Sequence, residues 1–542
     1  MPTTQLPRDL VRHCAKSYPR KLAYVDGASG RTRTWEEMHQ RSDRLAAALA
    51  ALGIGKGDTV CILAHDIVEV VEHFFACIKL GAWRVGINWR FSPAQMLHVI
   101  RDSGARVILV QENCLPLLGD AELDALRSEG REFIGIGSTH ALELDYEDLI
   151  AHSPAAPAAW PMLDADDVCA ISYTTGTTGM PKGVLWTQGG VREALVRTPL
   201  TLGLRHEDVW YNPFPMPGVP ILVGTINLGN GMTTVLPGGD FDAHASLELA
   251  DRYHISAGVF VPTQLKRVTE EARRTGIGRD SWRLMTFGSM PATPALIRDA
   301  YHTFGCEFGH VYGLTEATWG IVSYLGPADI RRAVDHEPAL LTSCGPPALH
   351  VEVDIRDPFG APLPAGETGE IWVRGETVMR GYWKMPERTA EVLGVDGWLN
   401  TGDIGRLDEQ GYLYVVDRKS FMIISGGYNV YPAAVEEVVA EHPAVREVAV
   451  VGAPHPDWGE AVVAIVSLNA GVRADAEEIL AFCRAQRHKL SRFEMPKHVL
   501  VVDDLPRGVT GKLDKLSLRT LLRSLHDRLP WNTGTVTDTA AR

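Results

Sequence analysis

The sequence predicts an α/β protein: a large N-terminal domain of doubly wound mixed sheets plus a β subdomain, followed by a small α+β C-terminal domain. Three observations predict it. Strand-length apolar runs alternate with helix-length amphipathic segments at the start of the chain, the pattern of a mostly parallel sheet covered by helices. From Val351 the pattern changes to short strands broken by Gly and Pro: Val351 to Ile355, Gly369 to Arg374, Gly411 to Val416, a small β subdomain. From Pro432 a helix, two strands (Val445 to Val451 and Ala461 to Val466) and a second helix (Ala474 to Gln486) make a compact unit of their own.

Each early element has a local reason. Trp35 to Leu52 carries alanines, leucines and charges at helical spacing and is stopped by Gly53. Thr59 to Ala64 reads as a buried strand, Ile67 to Leu80 as an apolar helix and Trp83 to Ile87 as a strand. Ser92-Pro93 opens a helix with a cap and a proline at its first position, and Arg106 to Val110 returns as a strand. Gly53-Ile54-Gly55-Lys56-Gly57-Asp58 is glycine-rich but follows a helix and precedes a strand. A dinucleotide fingerprint needs the opposite order, so this is a plain connecting loop. Pro154 to Pro161 is a proline- and alanine-rich connector. Thr225 to Leu236, Ala257 to Val261 and Arg283 to Phe287 read as pieces of a second α/β layer, and the polar stretch from about Pro530 as a frayed end.

Composition narrows the function classes. The 542 residues allow two to four domains, and 45% hydrophobic with 22% charged residues is ordinary for a globular protein. A net charge of −14 argues against nucleic-acid or anionic-membrane binding. Eight cysteines stand singly at 14, 61, 77, 114, 169, 306, 344 and 483, with no C-x-x-C pair, so neither a disulfide framework nor a zinc site is expected. No apolar h-region follows Met1 and no run of 18 apolar residues occurs, which predicts a cytoplasmic protein without a membrane span.

The stretch Ser172-Tyr-Thr-Thr-Gly-Thr-Thr-Gly-Met-Pro-Lys-Gly183 directly follows the apolar run Val168 to Ile171. Glycines let backbone N–H groups converge on an anion, hydroxyls add donors, and Lys182 brings a charge suited to phosphate. It is not G-x-x-x-x-G-K-[ST], because no Lys-Ser or Lys-Thr pair stands at that spacing. Gly288-Ser289-Met290-Pro291 is a turn that lets a flat ligand approach backbone. His310 to Glu316 puts an aromatic face, a hydroxyl and a carboxylate in one short segment, and Thr315 with Glu316 suits Mg²⁺. Asp403 suits a ribose diol. Ser425-Gly426-Gly427 is a glycine turn entering a helix, and Pro506 to Lys512 sets a lysine on a tight loop. Singly, each has a bland reading: Tyr312 as core, Asp403 as a cap, Lys512 as a solvated charge. Their joint occurrence in this order gives them meaning.

As a set, Tyr173 to Gly183, Tyr312-Gly-Leu-Thr-Glu316, Thr401-Gly-Asp403 and Pro506-Arg-Gly-Val-Thr-Gly-Lys512 resemble the adenylate-forming superfamily of acyl-CoA synthetases, peptide-synthetase adenylation domains and luciferases. The resemblance covers about residues 20–520 and implies a domain over 1–419 that binds ATP and a carboxylic acid. It also implies a mobile domain over 420–542 that carries a catalytic lysine. By that resemblance Thr174, Thr175, Gly176, Thr177, Thr178, Gly179 and Lys182 hold the triphosphate, and Gly288, Ser289, Met290, Pro291, Tyr312 and Gly313 flank adenine. Thr315 and Glu316 sit by phosphates and magnesium, Glu316 as the metal ligand, and Asp403 holds the ribose with Arg418 nearby. Lys512 serves the first step. Ser425, Gly426 and Gly427 line the pantetheine path of coenzyme A, the expected acceptor because no carrier domain follows Lys512. The acid pocket is expected from Phe214, Met216, Val219, His310, Leu314 and Trp319, for an apolar acid of limited length. The partners implied are that acid, ATP and CoA, and the resemblance allows a homodimer.

Three positions depart from the family pattern: Ser420 and Phe421 at the hinge, and Pro215 where many relatives carry a gating histidine. These keep two rivals in view. One is an enzyme of the same fold passing its adenylate to an amine, nitrite or carrier-protein thiol. The other is a binding protein without turnover, against which intact Lys512, Glu316 and Asp403 count heavily.

Overall fold

The computed structural model describes residues 5–137, 142–175, 180–508, 512–525 and 529–531. Two compact units emerge: residues 1–354, 372–401 and 410–413 in the larger, and 355–371, 402–409 and 414–542 in the smaller.

The larger unit holds two eight-stranded sheets. In one, strands Val168–Thr175, Trp83–Ile87, Thr59–Leu63, Val107–Gln111, Glu132–Ile136 and Leu144–Asp145 lie side by side in parallel. Pro181–Thr187 then returns antiparallel to Val168–Thr175, and Gly381–Tyr382 adds antiparallel to it. In the other, Glu307–Tyr312, Leu284–Gly288, Ala257–Phe260, Val209–Tyr211, Thr233–Leu236 and Leu22–Asp26 are parallel, with antiparallel edges at Ser323–Leu325 and Thr32–Thr34. Both are mixed sheets flanked by helices, the expected doubly wound class.

Boundaries match the sequence reading closely where local chemistry is strong. The helix Trp35–Ala51 is capped by Thr34 with Glu37 in a reciprocal capping box, and Pro93–Ser103 by Ser92 with Gln95. The expected loop 53–58 joins that first helix to strand Thr59–Leu63. The helix Pro7–Ser17 escaped notice, although a proline opens it and its apolar face is buried. Strands Val445–His455 and Gly459–Leu468 run longer than expected because they pair as one hairpin. Gly459–Leu468 is central in the smaller unit's sheet, pairing also with His498–Val502 and with Ile423–Ser425 of the hairpin Ile423–Ser425/Tyr428–Val430, while Val445–His455 forms an edge. The strands Glu352–Arg356, Gly369–Arg374, Leu399–Leu407 and Leu413–Arg418 appear where the β subdomain was expected, and the chain passes between the units among them. All eight cysteines are free thiols.

Packing between helices Trp35–Ala51 and Val68–Leu80 is locked by a buried carboxylate. Glu72, fully buried, accepts from Arg41 Nε (2.7 Å), Arg33 Nε (3.3 Å) and Tyr146 Oη (2.6 Å). Removing one member of such a set leaves buried charge unpaired, at about 3–5 kcal/mol. Glu72→Ala should therefore lower the free energy of denaturation by about that amount, measured by urea unfolding; a change below about 1 kcal/mol would show the network to be dispensable.

Candidate active site

Parallel strands end at a common edge, and ligands of open α/β sheets bind beyond their carboxyl ends. In the second sheet three loops leave that edge, two of them from adjacent strands and one from beyond the intervening strand Ala257–Phe260. Residues 212–219 follow Val209–Tyr211, Ser289 to Pro291 follow Leu284–Gly288, and Gly313 to Glu316 follow Glu307–Tyr312. Gly288 belongs to a tight place: a Cβ there would lie 2.4 Å from Val311 O. Ser289, Thr318 and Trp319 all hold left-handed backbone, with φ of 67°, 50° and 50°. That conformation is costly for a β-branched residue such as Thr318, and such strain gathers at functional loops.

The glycine- and threonine-rich loop joins two strands of the first sheet. Their antiparallel register puts Thr174 opposite Lys182 and Tyr173 opposite Gly183. Gly176, Thr177, Thr178 and Gly179 lie outside the described residues, and for Thr175 the backbone alone is described. Thr174 Oγ1 is buried without a protein partner, as is Ser172 Oγ. Tyr173 donates to Asp102 Oδ2 at 2.6 Å.

Lys182 and Glu316 meet. The Lys182 ammonium lies 3.3 Å from Glu316 Oε1 and donates to Tyr382 Oη at 2.8 Å, and Tyr382 donates to the same Glu316 oxygen at 2.8 Å. Backbone bonds hold the group as well: Met379 N–H to Glu316 O at 2.8 Å, and the Trp186 indole to Thr315 O at 2.9 Å. Tyr382 was missed in the sequence because Gly381-Tyr382 reads as an ordinary turn. Only pairing of Tyr382 with Val184 brings it beside Lys182.

The expected acid-pocket residues separate by environment. Phe214 and the partly buried Trp319 share one apolar cluster with Trp210, Val259, Val311 and Ile321. Met216 and Leu314 are buried, and Val219 is half-buried. His310 stacks on Phe287 at 4.8 Å and its Nδ1 lies 3.0 Å from Ser343 O. Burial lowers its pKa, with that backbone bond opposing, so it stands neutral.

Two further residues escaped the sequence reading. Asp66 is buried and accepts from Met216 N–H at 2.7 Å, and Arg84, also buried, donates to Met216 O at 2.7 Å and to Pro217 O at 2.5 Å. A charge inside the apolar strand Trp83–Ile87 was the signal that could have found Arg84. Burial pushes the Asp66 carboxyl up to about 8, Asp240 adding to this while Met216 N–H, Arg90 and Arg84 oppose it.

In the smaller unit Asp403 is buried and ion-paired with Arg418, Nε to Oδ1 2.9 Å. Lys512 lies on a turn closed by Gly508 N–H to Lys512 O at 2.8 Å, and residues 509–511 lie outside the described residues. Desolvation, then the like charge of Arg418, pushes the Lys512 ammonium down to about 8, and Asp403 opposes this. The residue as a whole stays exposed. Gly426 and Gly427, both at positive φ, form the two-residue turn of a hairpin rather than a turn leading straight into a helix; the helix starts at Pro432. Ser425 Oγ is buried without a protein partner. Beside the turn, Tyr428 stacks on Phe493 at 4.5 Å.

The AMP-binding enzyme model matches residues 11–383, and the AMP-binding enzyme C-terminal domain matches residues 434–512. The long-chain-fatty-acid–CoA ligase FadD13 of Mycobacterium tuberculosis is 32% identical over 516 residues, covering 94% of this chain and 97% of that protein. The chain belongs to the AMP-binding enzymes. It stands on their acyl-CoA ligase branch and is an AMP-forming ligase. Two solved structures align along nearly the whole AMP-binding enzyme. O-succinylbenzoate coenzyme A synthetase (MenE) from Bacillus subtilis, in complex with ATP and magnesium ion, has a TM-score of 0.80 at 30% identity, covering 95% of this chain and 99% of that one. The amide bond synthetase McbA from Marinactinospora thermotolerans has a TM-score of 0.83 at 29% identity, covering 95% and 100%. Among the described residues no helix of this AMP-binding enzyme is long and apolar enough to cross a membrane.

Two expectations follow from the geometry. Tyr382→Phe keeps the ring but removes both hydroxyl bonds, each worth about 1.5–3 kcal/mol where a charge is involved. Acid-dependent ATP–pyrophosphate exchange should fall about tenfold or more, and an unchanged rate would separate Tyr382 from the site. For Asp66 the sign is set by its raised pKa. The folded chain keeps a proton that the unfolded chain, with a value of 3.8, releases. Its stabilising contribution is complete below the unfolded value and is lost as pH rises through about 8. Urea unfolding at several pH values between 5 and 8 should show wild type losing ground steadily to Asp66→Asn. A constant difference would mean that Asp66 is already ionised.

Proposed function

We propose that the enzyme activates an apolar carboxylic acid of limited length with ATP, releasing pyrophosphate, and passes the acyl group to coenzyme A, releasing AMP. The observation that carries this reading is the meeting of Lys182 and Glu316, with Tyr382 between them. Beside them, the buried hydroxyl of Thr174 has no protein partner. A cation, a buried donor and a carboxylate are what a triphosphate with its magnesium needs.

In the first step a carboxylate oxygen bonds to the α-phosphorus as the bond to the pyrophosphate oxygen breaks. Two anions must approach, so positioning and charge neutralisation supply most of the catalysis. Lys182, Thr174 and the glycines of residues 176–179 bind the departing phosphates. Gly288 to Pro291 and Tyr312 enclose the adenine, and Asp403 orients the ribose with Arg418 fixing its carboxylate. The Lys512 ammonium sits between carboxylate and α-phosphate and withdraws with its domain, so that a thiol can reach the acyl carbon. That thiol, guided past Ser425 to Gly427, bonds to the acyl carbon while AMP leaves with the electron pair. Residues fit for magnesium are the Glu316 carboxylate and the Thr315 hydroxyl, hard oxygen donors. Magnesium supplies neutralisation of phosphate charge there.

The acid is chosen at Phe214, Met216, Val219, Leu314 and Trp319. Their apolar character supports an aromatic, alicyclic or medium-chain acid, and His310, neutral and bonded to Ser343, offers no charge to it. The likeness to McbA, named an amide bond synthetase, together with Pro215 at the gate, keeps an amine acceptor as the second reading.

Pyrophosphate exchange over a panel of short, medium, branched and aromatic acids, followed by mass spectrometry with and without CoA, tests the assignment. An acyl-CoA product is expected. Adenylate persisting with CoA but consumed by an amine would favour the second reading. Lys512→Ala should reduce acid-dependent exchange at least a hundredfold while nucleotide binding persists; full exchange would overturn the role of Lys512.

A further inference from the structure

The segment Asn212-Pro213-Phe214-Pro215-Met216-Pro217-Gly218-Val219-Pro220 has a proline at every second position up to 217 and again at 220. Prolines carry no N–H, so this stretch cannot form a β ladder. Yet it is largely buried: Asn212, Phe214, Met216 and Pro217 are all inside. Buried backbone groups must be paired, and here side chains do much of the pairing. Asn212 Oδ1 accepts from Phe214 N–H at 3.2 Å, and Gln264 Nε2 donates to Pro213 O at 3.4 Å. At the centre, Asp66 takes Met216 N–H, and the two terminal nitrogens of Arg84 take Met216 O and Pro217 O.

Three contacts therefore fix two consecutive residues, two from a strand of the other sheet and one from the loop after the strand beside it. Asp66 lies just beyond Thr59–Leu63, and Arg84 lies within Trp83–Ile87. Gly86, two residues from Arg84 on the same strand face, completes the seat. A Cβ at Gly86 would lie 2.1 Å from Pro217 O and 2.5 Å from Pro217 Cα, too close for any side chain. The backbone of Pro217 thus rests directly on the strand, clamped from both sides of its peptide. Phe214 and Met216, the side chains carried by this segment, have no freedom to shift without breaking buried polar bonds.

We propose that Asp66, Arg84 and Gly86 are positioning residues for acid selectivity, fixing the backbone of Met216 and Pro217 and so the depth and width of the wall formed by Phe214 and Met216. The proposal rests on the reading of residues 212–219 as the acid-pocket wall. A brace of fixed length holds that wall in one place. Loosening it admits bulkier acids and weakens binding of the preferred one; a methyl at Gly86, which would lie 2.6 Å from Arg84 Nη2 as well as against Pro217, displaces the brace too.

The test uses the full chain in four variants: Asp66→Asn, Arg84→Met, Arg84→Lys and Gly86→Ala. Hydrogen exchange of the peptide spanning 212–219 is read first, with the Leu284–Gly288 strand as internal control. Arg84→Met should speed exchange of the first peptide at least tenfold and leave the control unchanged; Arg84→Lys, which keeps a donor, should recover part of the protection. In pyrophosphate exchange over the acid panel, Arg84→Met should raise the KM for the preferred acid at least tenfold. It should also move the ranking toward larger acids, with the KM for ATP within twofold of wild type. Gly86→Ala, which displaces Arg84 Nη2, should move the ranking in the same direction as Arg84→Met, and Asp66→Asn, retaining the acceptor oxygen, should change it least. Unchanged exchange of 212–219 in Arg84→Met overturns the brace whatever the activity. Faster exchange with an unaltered acid ranking overturns its role in selectivity. A parallel rise in the KM for ATP does the same, as the mark of general loosening. If wild type shows faithful protection of 212–219 but no acid-dependent exchange with any acid, acid activation itself is what fails, and the selectivity role falls with it.

Discussion

The site depends on the register of three antiparallel strands at the margin of the first sheet. Val168–Thr175 pairs with Pro181–Thr187, which pairs with Gly381–Tyr382. Side chains alternate along a strand, so a slip of one residue would send every side chain to the opposite face. In the observed register Thr174 lies opposite Lys182, and Tyr382 opposite Val184, where its hydroxyl reaches the ammonium. The same ring then carries the hydrogen bond to Glu316. One pairing therefore joins a loop of the first sheet to a loop beyond the second, and residues up to 200 apart in the chain become a single polar cluster.

Legibility in the sequence followed the range of the forces involved. Helices closed by local chemistry were readable to within a residue or two: Thr34 and Ser92 cap their helices through residues three positions away. Strands at the sheet centres were equally plain because they are apolar throughout. What the sequence did not disclose were the long-range contacts. The return strand Pro181–Thr187 looked like the tail of a loop, and Tyr382 has nothing local to distinguish it from other Gly-Tyr turns. The motif residues Lys182, Thr315, Glu316, Asp403 and Lys512 were legible through the resemblance of the whole set rather than through any single residue. Asp66 and Arg84 left a weaker trace, a charge within or beside an apolar strand, whose meaning depends on which backbone it must satisfy.

Two different physical situations stand around Lys182 and around Met216. Around Lys182 and Glu316 the groups are partly exposed, with side-chain exposures of 24% and 17%, and can change partners. Around Met216 they are sealed: Asp66 and Arg84 are buried, and losing either leaves backbone groups unpaired in the interior. Chemistry needs groups that exchange contacts during a turnover, whereas selection among apolar acids needs a wall that does not move. A methylene more or less in an apolar pocket is worth about 1–3 kcal/mol, so the discrimination available there depends on rigid placement more than on any added contact.

The Lys182–Glu316 pair also shows how a buried-edge cation and carboxylate coexist before substrate arrives. Each neutralises the other, and Tyr382 satisfies a further donor and acceptor between them. A triphosphate with a divalent cation brings one group of each sign. On the proposed reading the lysine would turn to phosphate and the carboxylate to the metal, leaving neither charge unpaired, and an unpaired partly buried charge is costly. Either component alone would strand one member of the pair: an anion without the metal leaves Glu316 facing negative charge, and a metal without the anion leaves Lys182 facing positive charge. On that reading the arrangement would favour joint arrival of nucleotide and metal over either one singly. Tyr382, held by its strand and bonded to both, would stay in place through that exchange of partners.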